Sequence, residues 1–294
     1  MNIKTVALLH PGNMGTTIGT AAATSGVRVL WVSAQRSSAS RKRAEQAGLV
    51  DAETLPAAIN QSEVVLSVCP PHAALDVARI VAAEGFAGIY VDANAISRAT
   101  AEEVGRIVTK AGANFVDGGI IGSPVKQPGT TRLYLSGEYA GEVAALFSES
   151  MLDARAIGSK AGAASALKVA YAAWTKCTDT LVLAIRAYAA KEGVDAALLE
   201  EWRISQRTLE AKCDRAAAIA VPKFWRYVGE MQEIAEAFAT AGLPSGFHLA
   251  AAEISERLAG FKDQANPNPT IAAVIDRLSL PPQQVIPEKS TITE

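Results

Sequence analysis

Ile3-Lys-Thr-Val-Ala-Leu-Leu-His10-Pro-Gly12-Asn-Met-Gly15-Thr-Thr-Ile-Gly-Thr20 is the stretch that decides the fold. Ile3 to Leu9 is a compact apolar run with β-branched residues, the pattern of a buried strand. Asn13 to Ser25 follows with small residues spaced for a helix lying on a sheet. Gly12-Asn-Met-Gly15 stands between the two. Strand, glycine turn and helix make the first βα step of an open α/β sheet. The free N–H groups at the start of that helix suit an anion.

Working outward, the same rhythm repeats. Val27–Ser33, Val64–Cys69, Ile89–Asp92, Phe115–Asp117 and Arg132–Leu135 read as further strands. Ala39–Ala47 and His72–Ala83 read as helices, and another runs to about Ala111 with Ser97 or Thr100 as its cap. Thr100-Ala-Glu-Glu103 fits a capping box, in which hydroxyl and carboxylate each take an orphan amide. This alternation predicts an α/β Rossmann-type, doubly wound parallel sheet. After residue 158 strand signals stop. Ala161 to Glu192 is one helix-forming stretch, about 48 Å long at 1.5 Å per residue. Helices follow at 195–209, 211–220, 223–241, 246–262 and 270–278. The expected organisation is a Rossmann domain over 1–159, an all-α helical domain over 160–280 and a flexible tail over 281–294.

The glycine turn matches two of the three glycines in the dinucleotide fingerprint G-x-G-x-x-G, with His10 where the first belongs. Pro11, Gly12, Asn13, Met14 and Gly15 are therefore candidate cofactor-binding residues. The role of His10 is left open, with shaping of the turn as the simplest reading, and it is given no catalytic role. An NAD site would place Asp or Glu at the end of the second strand, on the ribose 2′-hydroxyl. Here no carboxylate appears from Trp31 until Glu45. Arg36, Ser37 and Ser38, with Arg41 or Lys42 beside them, suit a 2′-phosphate, so NADP is expected in preference to NAD. The same residues also read as the solvated basic start of a helix. Cys69, Pro70 and Asn94 fall at the carboxyl ends of strands, where the nicotinamide would lie. Cys69 itself reads as a buried thiol and His72 as a helix-start residue.

Composition narrows the class. A chain of 294 residues holds about two domains at roughly 150 residues each. With 49% apolar and 20% charged residues, it is neither disordered nor collagen-like. A formal net charge of −2 lacks the basic excess of a nucleic-acid binder, and no basic amphipathic helix marks a membrane surface. The three cysteines, Cys69, Cys177 and Cys213, form no CxxC pair and no disulfide framework, and no metal site is expected. The apolar stretch Ala161–Ala190 is interrupted by Lys168, Lys176, Asp179 and Arg186, too polar to span a bilayer. No signal peptide is visible, so a cytoplasmic protein is expected.

Gly12-Asn-Met-Gly15, Asp117-Gly-Gly-Ile-Ile-Gly122-Ser123 and Gly162-Ala-Ala-Ser-Ala-Leu-Lys168 occur in that order. On these motifs the chain resembles the β-hydroxyacid dehydrogenase superfamily, which includes 6-phosphogluconate and 3-hydroxyisobutyrate dehydrogenases. Lys168 to Lys176, and Arg226 through His248, resemble a branch with a variant helical domain, commonly described only as 6-phosphogluconate-dehydrogenase-like. The resemblance implies a cofactor in the first domain and a small-molecule substrate held between the domains. It also implies Lys168 as catalytic general acid/base, a role a lysine can fill when burial depresses its pKa. The alternative for Lys168 is a snorkelling lysine at a helix edge.

The family's Ser-Gly-Gly loop reads Ile121-Gly122-Ser123 here, leaving Gly122 and Ser123 as candidate substrate-binding residues. The family's Asn, about four residues past the lysine, gives way to Tyr171 and Ala172. Tyr171 and Thr175 share the Lys168 face of the helix and Lys176 lies near it, so all three are substrate-binding candidates. Tyr171 either replaces the missing amide or packs. Lys126, Arg132, Arg226 and His248 are anion partners or structural residues.

The resulting expectation is an NADP-dependent dehydrogenase or reductase acting on CH–OH groups, moving hydride between nicotinamide and a small hydroxyacid or alcohol. An imine reductase of related architecture and a non-catalytic NADP-binding scaffold or sensor are the alternatives. The long helix predicts a homodimer through residues 160–265.

Overall fold

The computed structural model describes residues 3–263 and 268–280, and the expected flexible tail lies outside the described residues. Eight strands form one sheet: β1 (Thr5–Leu8), β2 (Arg28–Trp31), β3 (Val50–Asp51), β4 (Val64–Ser67), β5 (Ile89–Asp92), β6 (Asn114–Gly122), β7 (Thr131–Ser136) and β8 (Asp153–Ala156). Their order is β3-β2-β1-β4-β5-β6-β7-β8. The winding reverses at β1, which has β2 on one side and β4 on the other. An open sheet leaves a ligand crevice at such a switch point.

Alternation along the strands builds two cores. Val6 and Leu8, with Val29, Trp31, Val64 and Leu66, face the helix Asn13–Thr24. Ala7 and Leu9, with Leu30, Val32, Val65 and Tyr90, face the helices Ala74–Ala83 and Arg98–Lys110. Each strand is thus apolar on both faces, which is why β1, β2, β4 and β5 read as continuous apolar runs.

Three features depart from the sequence expectation. The edge strands β3 and β8 carry Asp51, Asp153 and Arg155 and are largely open to solvent, so they lack an apolar signature. The sheet has one antiparallel pair, β6 with β7. Only residues 123–130 join these strands, too few for the crossover that parallel pairing needs. The helix Arg98–Lys110 is capped by Ser97, whose Oγ accepts the Thr100 amide at 3.2 Å, so Thr100 lies in the first turn.

The chain divides into two compact units, Met1–Tyr171 and Ala172–Glu294, and the change falls inside the 29-residue helix Ala163–Lys191. The second unit is helical. Leu183, Trp202, Cys213, Phe224, Leu258 and Val274 form its core. Arg186, almost fully buried, pairs bidentately with Asp195 at 2.5 and 2.8 Å. The stretch expected as one helix over 211–220 is an α-helix, Leu209–Arg215, that widens into a π turn, Ala216–Ala220. The next turn holds Pro222, which has no amide to continue an α ladder. Among the described residues no helix is long and apolar enough to cross a membrane.

Candidate active site

The turn after β1 resolves the missing glycine. The Gly12 amide donates to the His10 carbonyl at 2.8 Å, closing a three-residue turn around Pro11. Proline's fixed φ suits such a γ-type turn, so the reversal does not require glycine at position 10. Gly15 is required: a Cβ there would sit 2.1 Å from the His10 carbonyl oxygen and 3.5 Å from the Val68 Cβ. Gly12 differs, because a Cβ at that position meets nothing within 4 Å. It is the N-cap of the Asn13–Thr24 helix with extended backbone and no side-chain cap, so the first-turn amides are left for another acceptor. Glycine at position 12 leaves open the space through which a pyrophosphate approaches those amides, so the cradle fits a dinucleotide.

Positive charge gathers beside this turn. Arg36 Nη2 donates to the Leu9 carbonyl at 3.1 Å, while its Nε is buried without a partner. Arg43, which sequence reasoning passed over, donates from Nε to the Pro11 carbonyl at 3.3 Å and from Nη2 to Ser40 Oγ at 3.1 Å. It stands three positions past Ser40, and that helical spacing was the available signal. Ser37 caps the helix Ser38–Gln46, accepting the Ser40 amide at 3.3 Å, so its hydroxyl serves the backbone. Ser38 is exposed at the first helical position. Burial and the nearby Arg36 push the His10 imidazole down to about 4, leaving it neutral at pH 7.

At the ends of β4 and β5 a buried relay fixes the loops. Asp92 is fully buried and accepts both the Asn94 amide at 3.0 Å and Asn94 Nδ2 at 2.8 Å. Asn94 Nδ2 also donates to Ser67 Oγ at 3.2 Å, and its Oδ1 accepts the Cys69 amide at 2.5 Å. The Asn94 side chain thus sets the path of Cys69 and Pro70. Desolvation raises the Asp92 carboxyl to about 7, and burial raises the Cys69 thiol to about 11. Cys69 is a neutral thiol at pH 7, accepting from Ser67 Oγ at 3.8 Å.

Residues 118–122 of β6 continue beyond the β5 ladder, which ends at Asp92↔Asp117. Asp117 is fully buried and anchors the helix Ala163–Lys191 to this strand. Its Oδ1 accepts Ser165 Oγ at 2.5 Å, and its Oδ2 accepts the Ser165 amide at 2.9 Å and Ser136 Oγ at 3.0 Å. Ser136 Oγ in turn accepts the Ala164 amide at 3.0 Å. Two orphan amides of the first turn are thereby satisfied, with a carboxylate at the positive end of the helix.

The paired glycines explain how close the helix lies. A Cβ at Gly119 would meet the Ala164 carbonyl at 2.7 Å and Lys168 Cβ at 3.1 Å. Lys168 is pressed against the extension of β6, and no described polar side chain bonds its ammonium. Desolvation lowers its pKa from the usual lysine value. Gly122 has φ +123°, and a Cβ there would sit 2.2 Å from the Thr130 carbonyl. Ser123 is exposed beside it, its carbonyl accepting Thr131 Oγ1 at 2.5 Å.

The remaining candidates distribute differently. Tyr171 is exposed, at the end of the first unit. Thr175 and Lys176 belong to the helical unit, where Lys176 pairs with Glu230 and lies 4.7 Å over the Tyr227 ring. Arg132 donates to the Gly129 carbonyl at 2.9 Å, and Lys126 is exposed. Arg226 lies 5.6 Å over Trp225, and buried His248 stacks 4.3 Å from Phe238. Among the described residues no cluster of His, Cys, Asp or Glu could hold a metal.

Residues 5–145 match the family described as the NAD binding domain of 6-phosphogluconate dehydrogenase. That match falls within the first compact unit. Residues 189–258 match a domain of unknown function, DUF1932. The chain is 30% identical over 165 residues to an uncharacterized 28.5 kDa protein of Methanothermus fervidus, spanning 56% of this chain and 63% of that protein.

Among solved structures, the conserved protein MTH1747, described as similar to 3-hydroxyacid dehydrogenases, aligns with a TM-score of 0.70 at 24% identity, over 86% of this chain and 97% of that one. The Mycobacterium tuberculosis 3-hydroxyisobutyrate dehydrogenase with L-serine aligns with a TM-score of 0.69 at 18% identity, over 95% and 100%. A reductive aminase and an imine reductase share the fold at TM-scores of 0.55 and 0.52. These likenesses establish the architecture: a mostly parallel sheet with flanking helices, followed by a helical region.

Proposed function

We propose that the protein is an NADP-dependent oxidoreductase acting on a small hydroxyacid or alcohol, with Lys168 as general acid/base. Bound at the turn after β1, the nicotinamide nucleotide supplies or takes up the hydride. Gly12 and the uncapped helix amides hold its pyrophosphate. Arg36 and the neighbouring arginines favour a 2′-phosphate, and no carboxylate stands at the end of β2 to take a 2′-hydroxyl. The Asp92–Asn94–Cys69 relay orients the loop backbone at the sheet switch point. Lys168 Nζ takes the hydroxyl proton in oxidation and returns it in reduction. Gly122 and Ser123 orient the substrate's carboxylate.

The observation that carries this reading is the environment of Lys168. An amine pressed against bare glycine backbone, desolvated and without a carboxylate, has its pKa lowered from the usual lysine value, the direction that general acid/base work favours. Turnover against a panel of hydroxyacids and their carbonyl counterparts tests it. Lys168→Ala is expected to lower kcat by about a hundred-fold or more, and full activity of that variant refutes the role. Reduction of cyclic imines without any alcohol oxidation would establish the imine-reductase alternative instead. Tight NADPH binding without turnover on any of these compounds would establish a scaffold.

The protein is also proposed to be a homodimer. Trp174, Leu181, Ile185 and Tyr188 are exposed on the long helix, with positions 174, 181 and 188 repeating every seven residues. A heptad-spaced apolar stripe of this kind packs against another helix. A monomeric mass by light scattering at micromolar concentration would refute the assembly.

A further inference from the structure

We propose that His10 is a specificity-determining residue of the nucleotide site: its imidazole Nδ1 and the Nε of Arg36 form a paired anchor for the phosphate-bearing ribose of NADP. The inference rests on the reading that the turn after β1 binds NADP, and it assigns a task to the residue that displaces the fingerprint glycine.

The fold does not call for this imidazole. The three-residue turn closes through the His10 carbonyl and Pro11, and the contact with Gly15 also uses only that carbonyl. Yet the side chain is half-buried, and its Nδ1 has no partner. Arg36 Nε is in the same condition. Both residues line one cavity of about 110 Å³, whose other walls include Leu9, Val32, Leu55 and Val77. A buried nitrogen left unpaired costs about 1–3 kcal/mol. Two of them on residues that line one otherwise apolar cavity mark groups kept for a ligand.

Arg36 is not free to swing to water, because Nη2 is held by the Leu9 carbonyl at 3.1 Å. Its charge therefore stays beside the cavity. The His10 ring is uncharged at pH 7, so it stands beside the guanidinium without repulsion. No carboxylate lines the cavity. Ser37, the other nearby donor, spends its hydroxyl on the helix cap. The chemistry left for recognition is an apolar wall for a flat base and two unpaired nitrogens, on two residues that line the same cavity, for an oxygen-rich, anionic substituent on its ribose.

The full-length protein, titrated with NADPH and NADH and followed by tryptophan fluorescence, tests the assignment. His10→Leu keeps the space filled and removes the nitrogen, while His10→Gly restores the fingerprint glycine. Each is expected to weaken NADPH about ten-fold, the scale of one hydrogen bond to a charged group, and NADH by less than about two-fold. His10→Asn, which keeps a hydrogen-bonding side chain, is expected to hold most of the NADPH affinity. NADPH affinity unchanged in His10→Leu and His10→Gly overturns the proposal, as does an equal loss for both nucleotides, which would mark a turn-shaping residue. Arg36→Ala separates the two levels. If it loses NADPH while the His10 variants do not, the NADP reading stands and this inference alone fails. If the wild-type protein does not prefer NADPH, both fail.

Discussion

Gly12 and Gly15 face opposite constraints, and alanine at each separates a ligand's needs from the fold's. At Gly15 the new Cβ would lie 2.1 Å from the His10 carbonyl oxygen, a backbone atom that cannot move without pulling β1 and its turn. Overpacking against backbone of this kind costs about 3 kcal/mol or more. Gly15→Ala should therefore lower the urea midpoint of the first unit and weaken every nucleotide. At Gly12 the backbone has φ −72° and ψ −176°, open to any residue, and a Cβ meets nothing within 4 Å. The entropic gain on replacing glycine and the small loss of a helix N-cap are each about 0.5–1 kcal/mol and opposed, leaving stability within about 1 kcal/mol of wild type. The methyl would instead stand where the pyrophosphate approaches the amides. A steric conflict of about 1–3 kcal/mol there weakens NADPH by about 5- to 150-fold. Urea denaturation and fluorescence titration on both variants read the two quantities separately. Gly12→Ala binding NADPH like wild type at unchanged stability would refute the phosphate cradle. Gly15→Ala at unchanged stability would refute the packing argument.

Further outcomes follow from the same structure. With Lys168 depressed by burial, the rate of alcohol oxidation should rise with pH and level off below the ordinary lysine pKa. Lys168→Arg should remove that limb, and a limb that survives in the variant belongs to another group. Asp117→Ala leaves Ser136, Ser165 and a helix amide without their acceptor and should cost about 2–5 kcal/mol, read by denaturant unfolding; a loss under about 1 kcal/mol contradicts the anchor. Asp92 holds its proton to about pH 7 in the folded state, whereas the unfolded chain releases it near 3.8. The unfolded state thus binds fewer protons across that window, so this residue makes stability fall by a few kcal/mol as pH rises through it. Asp92→Asn should flatten that slope, and an unchanged slope rules the residue out. Replacing Leu181 and Tyr188 with lysine should convert the dimer to monomer in light scattering, with nucleotide affinity retained.

The fold was legible wherever a strand is apolar on both faces. β1, β2, β4 and β5 sit in the middle of the sheet and announce themselves as unbroken runs, and their spacing conveys the helices between them. β3 and β8 were illegible because edge strands pair through backbone and carry charge. The direction of β7 follows from the length of its connection, a constraint that hydrophobic pattern does not express. In the site, spacing singled out Gly12 and Gly15, and the family resemblance singled out Lys168. The task of Ser37 as a cap, Arg43 on the Pro11 carbonyl and the use of Asn94's amide depend on which way a side chain turns after folding. Asp117 stood in a quoted motif, but its partners Ser136 and Ser165 lie far along the chain, and only the packed helix brings them to it.

Nicotinamide oxidation by the purified protein, followed by absorbance with NADPH and a panel of small carbonyl acids, tests the central claim most directly. The expected result is turnover on at least one carbonyl acid, dependent on NADPH in preference to NADH and lowered about a hundred-fold or more in Lys168→Ala. Undiminished turnover in Lys168→Ala, or confinement of activity to imines, would contradict it.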